Sequence, residues 1–408
     1  MVASPDETYP SLEVFIMPLI HEESVVVIIG SGVSGLTLAT FLRTSGIACV
    51  VLERRDRSYI AARQRAGVVE ARGVQMFERW GLADKLLMGP VASTVEYRVD
   101  GVGRVFEVSG EDGAQSRFCT QQMLANNLLH TFIDEMNGDV RFSVEDIVIH
   151  NPSDGRPKVS YADASGAHEI ACELIAGCDA DRGVSRSSIP DGVITTYTHE
   201  FGYAWLAMLV EAPMSGPALM AASEHGFVAQ IPRGPQRSRY YLQCALSDGP
   251  SDWPDERVWN EIRKRAGNKS VQNVHILDKL FVPLRSVVHV PMQYRNLYLA
   301  GDAAHLVPPT GAKGMNMALF DVDMLAQGIV KALREGDRSG LDSYTDICLP
   351  RIWKYQEFSA WMTDTMHDAG DPTLHGKFRQ AIARARIETL FHSPAAARVH
   401  SDYQQGSV

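Results

Sequence analysis

The chain has 408 residues, 45% of them apolar and 22% charged, with a formal net charge of −10. That length can bury a large core and favours two or three domains, and the composition is that of a soluble globular protein. The acidic balance argues against nucleic acid or an anionic membrane as the main partner, and no apolar run reaches membrane-spanning length.

Residues 1–23 carry acids ahead of a short apolar patch and no small-residue cleavage site, so they read as an extension before the first strand. The β-branched run at 25–29 ends at Gly30 and predicts a buried parallel strand. A helix is expected over about 33–45, with Gly46 placed to end it. Residues 47–52 give the next strand, and Glu53 stands at its end. Alternating stretches at 95–99 and 104–108 predict strands of another sheet, 121–136 a helix, and 173–178 a strand returning to the first domain. Aromatic and β-branched segments between 196 and 290 read as an antiparallel sheet. Residues 297–300 form one more buried strand, and Ala318, Val322, Leu325, Ile329 and Leu333 then recur at helical spacing. Residues 341–408 read as mostly helical.

The fold class is α/β (α+β): a Rossmann-like dinucleotide-binding domain, an antiparallel-sheet domain and C-terminal helices. The expected divisions are an extension at 1–23, a nucleotide-binding domain at 24–195 completed by about 285–335, a substrate sheet at 196–284, and a helical region at 336–408. The six cysteines are scattered and form no CxxC pair, which points to reduced thiols and a cytoplasmic protein. No HExxH or paired CxxC supports a metal, and none is expected.

Gly30, Gly32 and Gly35 form GxGxxG between the first strand and helix, with Ser34 inside the turn. Gly30 permits the tight turn, Gly32 lets a pyrophosphate approach the backbone, and Gly35 lets the helix pack on the strand. The helix N-terminus supplies free N–H groups and a positive dipole end. Glu53 lies where an acid can accept from adenosine ribose hydroxyls. This segment fits NAD and FAD alike. The segment GDAAHLVPPTGAKGMN, 301–316, separates them. Asp302 follows a strand, where a carboxylate can accept from a ribityl hydroxyl. Gly311, Lys313, Gly314, Met315 and Asn316 open a long helix whose N-terminus can stabilise the anionic N1–C2=O edge of a reduced flavin. Together the two segments point to FAD.

These motifs, with RQRAGVVE at 63–70, CDADRGVSR at 178–186 and RSRYY at 237–241, resemble the class A flavoprotein aromatic hydroxylases from about residue 25 to about 366. The resemblance implies FAD, NAD(P)H as a transient reductant, and O₂ captured as a flavin C4a-hydroperoxide that passes one oxygen to an aromatic ring. It implies that Arg65 and Gln121 contact FAD, that Asp302 holds the ribityl chain, that the 313–316 stretch meets the ring, and that Arg239 helps govern the flavin's position. Asp179 belongs to a motif serving both cofactors. Arg54, Arg55, Arg57 and Tyr59 would face the nicotinamide dinucleotide, and the extra arginines lean towards NADPH over NADH.

By the same resemblance Arg233 and Tyr241 stand where the family meets a substrate carboxylate, Ile231 replaces a serine there, and Pro309 offers its carbonyl to a ring substituent, with Thr310 beside it. The prolines stiffen that turn and help keep the pocket dry. Pro309, Arg239 and Tyr241 are the residues expected to serve the chemistry. The family's proton relay is interrupted: Met220 stands at its first tyrosine, the histidine position falls at Ala92 or Ser93, and Tyr403 is offset by one residue. Methionine cannot accept a proton, so the substrate would be a hydroxy- or aminobenzoate already electron-rich, or His225 or Tyr203 would supply the base. Ala180 replaces a usual glycine and would resist φ > 0. The expected activity is hydroxylation of a substituted benzoate. The alternatives are an uncoupled flavin NAD(P)H oxidase and a non-catalytic FAD protein sequestering an aromatic ligand. The resemblance also implies a homodimer through the C-terminal helices.

Overall fold

A computed structural model describes residues 19–63, 67–108, 115–152, 155–214, 216–367 and 374–407. Three sheets organise them. The six-stranded sheet runs, in spatial order, through Gln293–Tyr294, Leu297–Leu299, Leu174–Gly177, Val26–Ile29, Cys49–Glu53 and Asp139–Phe142. Every pairing but the first is parallel. Val26–Ile29 is buried throughout, as a strand covered on both faces must be. The Val33–Thr44 and Gly314–Glu335 helices pack together over this sheet, which explains why both carry long apolar faces.

The second sheet has four strands in the order Ile20–Glu23, Gly166–Ala171, Lys158–Asp163 and Glu145–His150. The expected extension over 1–23 therefore differs from the structure at its end, where Ile20–Glu23 is a strand paired in parallel with Gly166–Ala171. The sequence IHEE carries no apolar alternation, so it gives no strand signal. It is held instead by polar contacts: Arg141 donates to both Glu22 carboxylate oxygens at 2.6 and 2.7 Å.

The third sheet has eight strands: His305–Leu306, Ile276–Val290, Thr195–Val210, Ser238–Ala245, Gly226–Pro232, Ala218–Ser223, Thr94–Val99 and Val102–Glu107. Two boundaries differ from expectation. The Thr94–Val99 and Val102–Glu107 strands lie inside the expected 24–195 unit yet belong to this sheet. Ile276–Val290 runs through the expected 284/285 division as one strand. The sheet is mixed rather than purely antiparallel, because Thr94–Val99 pairs in parallel with Ala218–Ser223. A helix over Asp255–Arg265 also interrupts the region read as sheet. Its signals are Asp255 and Glu256 in the first turn and Arg263, Lys264 and Arg265 in the last, each set complementing the helix dipole.

Period-two alternation gives this sheet two cores. Leu206, Met208, Tyr240 and Leu242 face outward onto Trp253 and Trp259. Tyr97, Trp205, Met220, Phe227 and Ala229 face inward onto Phe358, Met362 and Met366 of the Tyr344–Met366 helix. The Leu374–His392 and Pro394–Gln405 helices complete the C-terminal region. Among the described residues no helix is long and apolar enough to cross a membrane.

Candidate active site

Each glycine of the first turn has its own steric cause. Gly30 has φ +100°, and a Cβ there would overlap the Cys178 carbonyl. A Cβ on Gly35 would overlap the Gly30 carbonyl oxygen. Gly32 is different: its backbone is extended, and a Cβ would meet no protein atom within 4 Å. The protein makes no demand for glycine at 32, so the open space in front of it fits a group brought from outside. The helix beginning at Val33 has no side-chain cap and no acid in its first turn, so its N–H groups remain on offer to an anion. The turn thus fits a dinucleotide pyrophosphate. Ser34 lies against Gly301, where a Cβ would crowd its hydroxyl, and this contact joins the two distant loops.

Glu53 is more engaged than the sequence implies. One carboxylate oxygen accepts from the Ser31 N–H at 2.8 Å and the Ser31 hydroxyl at 3.1 Å, and the other from the Arg55 N–H at 2.9 Å. A carboxylate has about four lone-pair sites, so acceptor capacity remains for a hydroxyl. Arg57 is committed to Asp134 through two bonds of 3.1 and 2.7 Å. Arg54 is exposed, and the Arg55 guanidinium lies 5.1 Å from the centre of the Tyr59 ring. Gln121 opens a helix capped by Thr120. Arg65 lies outside the described residues. Asp179 accepts from the Ser185 N–H at 2.8 Å while its other oxygen is buried without a partner, and burial raises its pKa. Ala180 adopts φ +63°, the left-handed conformation that its methyl resists.

The second loop is braced from beneath. Asp302 sits in the Gly301–Ala303 turn. Fully buried Asp321 accepts from the Gly301 N–H at 2.9 Å and pairs with His305 at 2.6 Å. Burial disfavours the charged His305 imidazole, but the Asp321 carboxylate outweighs it and holds the His305 pKa above its ordinary value. The Pro309–Gly311 turn follows, and Gly311 packs so close to Ser359 that a Cβ would crowd its hydroxyl.

The expected helix begins at Gly314, and the Lys313 and Asn316 side chains are also engaged within the protein. The Lys313 ammonium lies 2.8 Å from Glu70 Oε2 and donates to the Gln404 carbonyl at 3.2 Å, with Lys313 1% and Glu70 3% exposed. Tyr355 donates to the other Glu70 oxygen. The Asn316 amide accepts from the Glu70 N–H at 3.1 Å and donates to the carbonyls of Val68 and Ala312. Met315 packs against the main core. What remains on offer here is the backbone end of the helix, which no side chain caps.

On the inner face of the large sheet, register places Tyr97, Met220, Ala229, Tyr241 and Ala207 in one rung across adjacent strands. Paired residues share a face, so Met220 stands between Tyr97 and the Tyr241 end. Arg233 donates to the Tyr241 hydroxyl at 3.1 Å and to the Pro232 carbonyl at 2.9 Å, and Gly67 lies so close to its guanidinium that a Cβ would overlap it. Ile231 pairs with Arg239, whose guanidinium is 3.7 Å from Asp278. Of the two histidine and tyrosine alternatives, His225 is exposed in a hairpin turn, while Tyr203 is buried in a stack with His367. Tyr403 stacks on Phe358 at 5.0 Å.

Three features escaped the sequence reading. Tyr97 and His400 form a buried hydrogen bond of 2.8 Å. Burial, with Lys313 nearby, holds His400 down to about 3, so the pair is neutral. His367 bonds the Trp205 indole. Glu70 receives Lys313. All three join residues far apart in sequence, which only the folded chain brings together.

Two uncapped helix ends and an aromatic inner sheet face are what the site presents, and comparison with known proteins gives the class. A model described as an FAD binding domain matches residues 23–359, and the chain belongs to that family. It is an FAD-dependent aromatic hydroxylase. A p-hydroxybenzoate hydroxylase from Acinetobacter baylyi is 36% identical over 377 residues, covering 91% of this chain and 92% of that protein. A probable NADH-specific resorcinol 4-hydroxylase from Rhodococcus jostii is 26% identical, over 78% of this chain and 61% of its own length. The solved p-nitrophenol 4-monooxygenase from Pseudomonas putida DLL-E4 superposes with a TM-score of 0.80 at 16% identity, covering 95% of this chain and 99% of that one, a likeness of fold.

Proposed function

We propose that this enzyme uses NAD(P)H and O₂ to hydroxylate a benzoate bearing a ring hydroxyl or amino group, at the carbon beside that group. The single observation that carries the reading is the Arg233–Tyr241 pair on the inner face of the large sheet. A guanidinium can meet a carboxylate through two charge-assisted bonds, and here its orientation is fixed by the tyrosine hydroxyl and the Pro232 carbonyl. The 36% identical p-hydroxybenzoate hydroxylase supports the same substrate class.

FAD, when bound and reduced, supplies the activated oxygen. The Gly32 turn and the uncapped Val33 helix end would hold its pyrophosphate, Asp302 its ribityl chain, and the Gly314 helix end its ring edge. Arg233 and Tyr241 would orient the acid so that its ring lies over Ala229. The Pro309 carbonyl would accept from the ring substituent. The inner face, closed by Phe358, Met362 and Met366, excludes water that would divert the oxygen.

Proton handling sets the choice of substituent. Met220 offers no base, burial pushes the Tyr97 hydroxyl up, and His400 is held down to about 3. Such groups remove a proton poorly at neutral pH. An aromatic amine, which activates its ring without losing a proton, suits them better than a phenol.

The test is anaerobic flavin reduction by NADPH or NADH across hydroxy- and aminobenzoates. The reading expects one such acid to speed reduction and then to be hydroxylated. Acceleration only by aromatics lacking a carboxylate would overturn it.

A further inference from the structure

We propose that His367 is a positioning residue that sets two sides of the proposed aromatic site at once, the Tyr241 side of the sheet through Trp205 and the Pro309–Gly311 turn through Thr363. This rests on the substrate reading above. The geometry is directional. Indole N–H can only donate, so at 2.6 Å from Trp205 Nε1 the His367 Nε2 must accept. The ring proton therefore sits on Nδ1, which donates to the Thr363 carbonyl at 2.8 Å. The Thr363 hydroxyl bonds the Ser359 carbonyl at 2.7 Å and lies 2.9 Å from the Thr310 hydroxyl. On the other side, Trp205 packs on Tyr241 with ring centres 4.7 Å apart, and Tyr241 in turn holds Arg233.

An unbroken series of contacts thus runs from Arg233 through Tyr241, Trp205, His367 and Thr363 to Thr310. It joins two regions whose separation must match the length of the bound ring. Trp205, Thr363, Thr310 and His367 are all buried, so these bonds have no competing water.

An apolar residue could fill the same space between Tyr203 and Phe227, which stack on the imidazole at 4.9 and 4.4 Å. It could not fix the rotation of the indole or the height of the turn. Protonation would set two N–H groups against each other at the indole, and burial prevents it by holding His367 down to about 3. The neutral imidazole takes part as a fixed donor and acceptor and touches no reacting atom.

The experiment compares holoenzyme with His367→Leu, His367→Gln and Trp205→Phe variants. Benzoate-class ligands are titrated by flavin difference absorbance, which needs no turnover, and KM, kcat and product per NAD(P)H are measured alongside FAD content. Glutamine offers one acceptor and one donor, so it is the conservative replacement. His367→Leu and Trp205→Phe are expected to weaken ligand binding roughly tenfold and to lower coupling. FAD content and the KM for NAD(P)H should hold. His367→Gln should recover most of the loss, and combining His367→Leu with Trp205→Phe should add little. Unchanged ligand affinity in His367→Leu and Trp205→Phe, or a glutamine variant as impaired as the leucine one, would overturn the inference. A parent enzyme that binds benzoates but hydroxylates none would instead sink the substrate reading.

Discussion

The dinucleotide turn and the substrate rung are built in opposite ways. Gly30, Gly32 and Gly35 lie within one short stretch, where Gly30 and Gly35 are demanded by neighbouring backbone and Gly32 faces open space. The rung from Tyr97 to Ala207 draws one residue from each of five strands, and what each meets depends on register. The first region is specified by close backbone approaches around one turn, the second by register across five strands. Substitutions in the first should therefore act all-or-none on cofactor or fold, whereas those in the second should grade substrate affinity.

The sharpest way to break this contrast is within the turn itself. Gly35→Val drives a side chain into the Gly30 carbonyl and should cost about 4 kcal/mol or more, leaving little folded protein. Gly32→Ala meets no protein atom, so apoprotein stability should stay within about 0.5 kcal/mol while FAD affinity falls at least roughly tenfold. Urea unfolding of apoprotein and FAD titration separate the two; equal losses of stability would refute the assignment of Gly32 to the ligand.

Between the two regions lies the buried Lys313–Glu70 pair. Lys313→Met leaves the buried Glu70 carboxylate without its cation and should cost about 3 kcal/mol or more, with much of the loss recovered when Glu70→Leu is added. Thermal unfolding of single and double variants checks this. On the rung, Arg233→Gln should raise the KM for the aromatic acid by roughly 10- to 100-fold, as loss of charge-assisted bonds does, with FAD binding intact.

Three buried histidines carry a pH signature. Burial lowers His367 and His400 from 6.5 to about 3, and His289 to about 4. Below pH 6.5 the unfolded chain binds protons that the folded chain refuses, so stability must fall as pH falls. Each such histidine contributes about 1.4 kcal/mol per pH unit until its folded value is reached. Denaturation midpoints at pH 6.5, 5.5 and 5, below the range in which His305 acts in the opposite sense, should decline in that order, and a flat series would contradict buried neutral imidazoles. The smallest effect belongs to the turn side. Ala180→Gly relieves a left-handed alanine and should stabilise by about 0.5–1 kcal/mol, measurable by urea unfolding.

The same contrast explains what could be read from sequence. The Gly30–Gly35 turn, the strand and helix around it and the Gly314 helix start were legible because their signals are local. Arg233 and Tyr241 were legible through the family resemblance, and the structure does bring them together. The Ile20–Glu23 strand was hidden because its four residues show no apolar alternation, its Glu22 being met by Arg141. The Lys313–Glu70 pair was hidden because nothing near Lys313 in sequence reveals Glu70. Tyr97–His400 and Trp205–His367 were invisible for the same reason: each joins a strand to a C-terminal helix.

The most direct test of a carboxylated ring laid along this rung is the yield of hydroxylated product per NAD(P)H consumed with hydroxy- and aminobenzoates. The account predicts a ratio near one for at least one such acid and a collapse towards H₂O₂ in Arg233→Gln. Hydrogen peroxide as the sole product with every benzoate, or full coupling on a ring without a carboxylate, would contradict it.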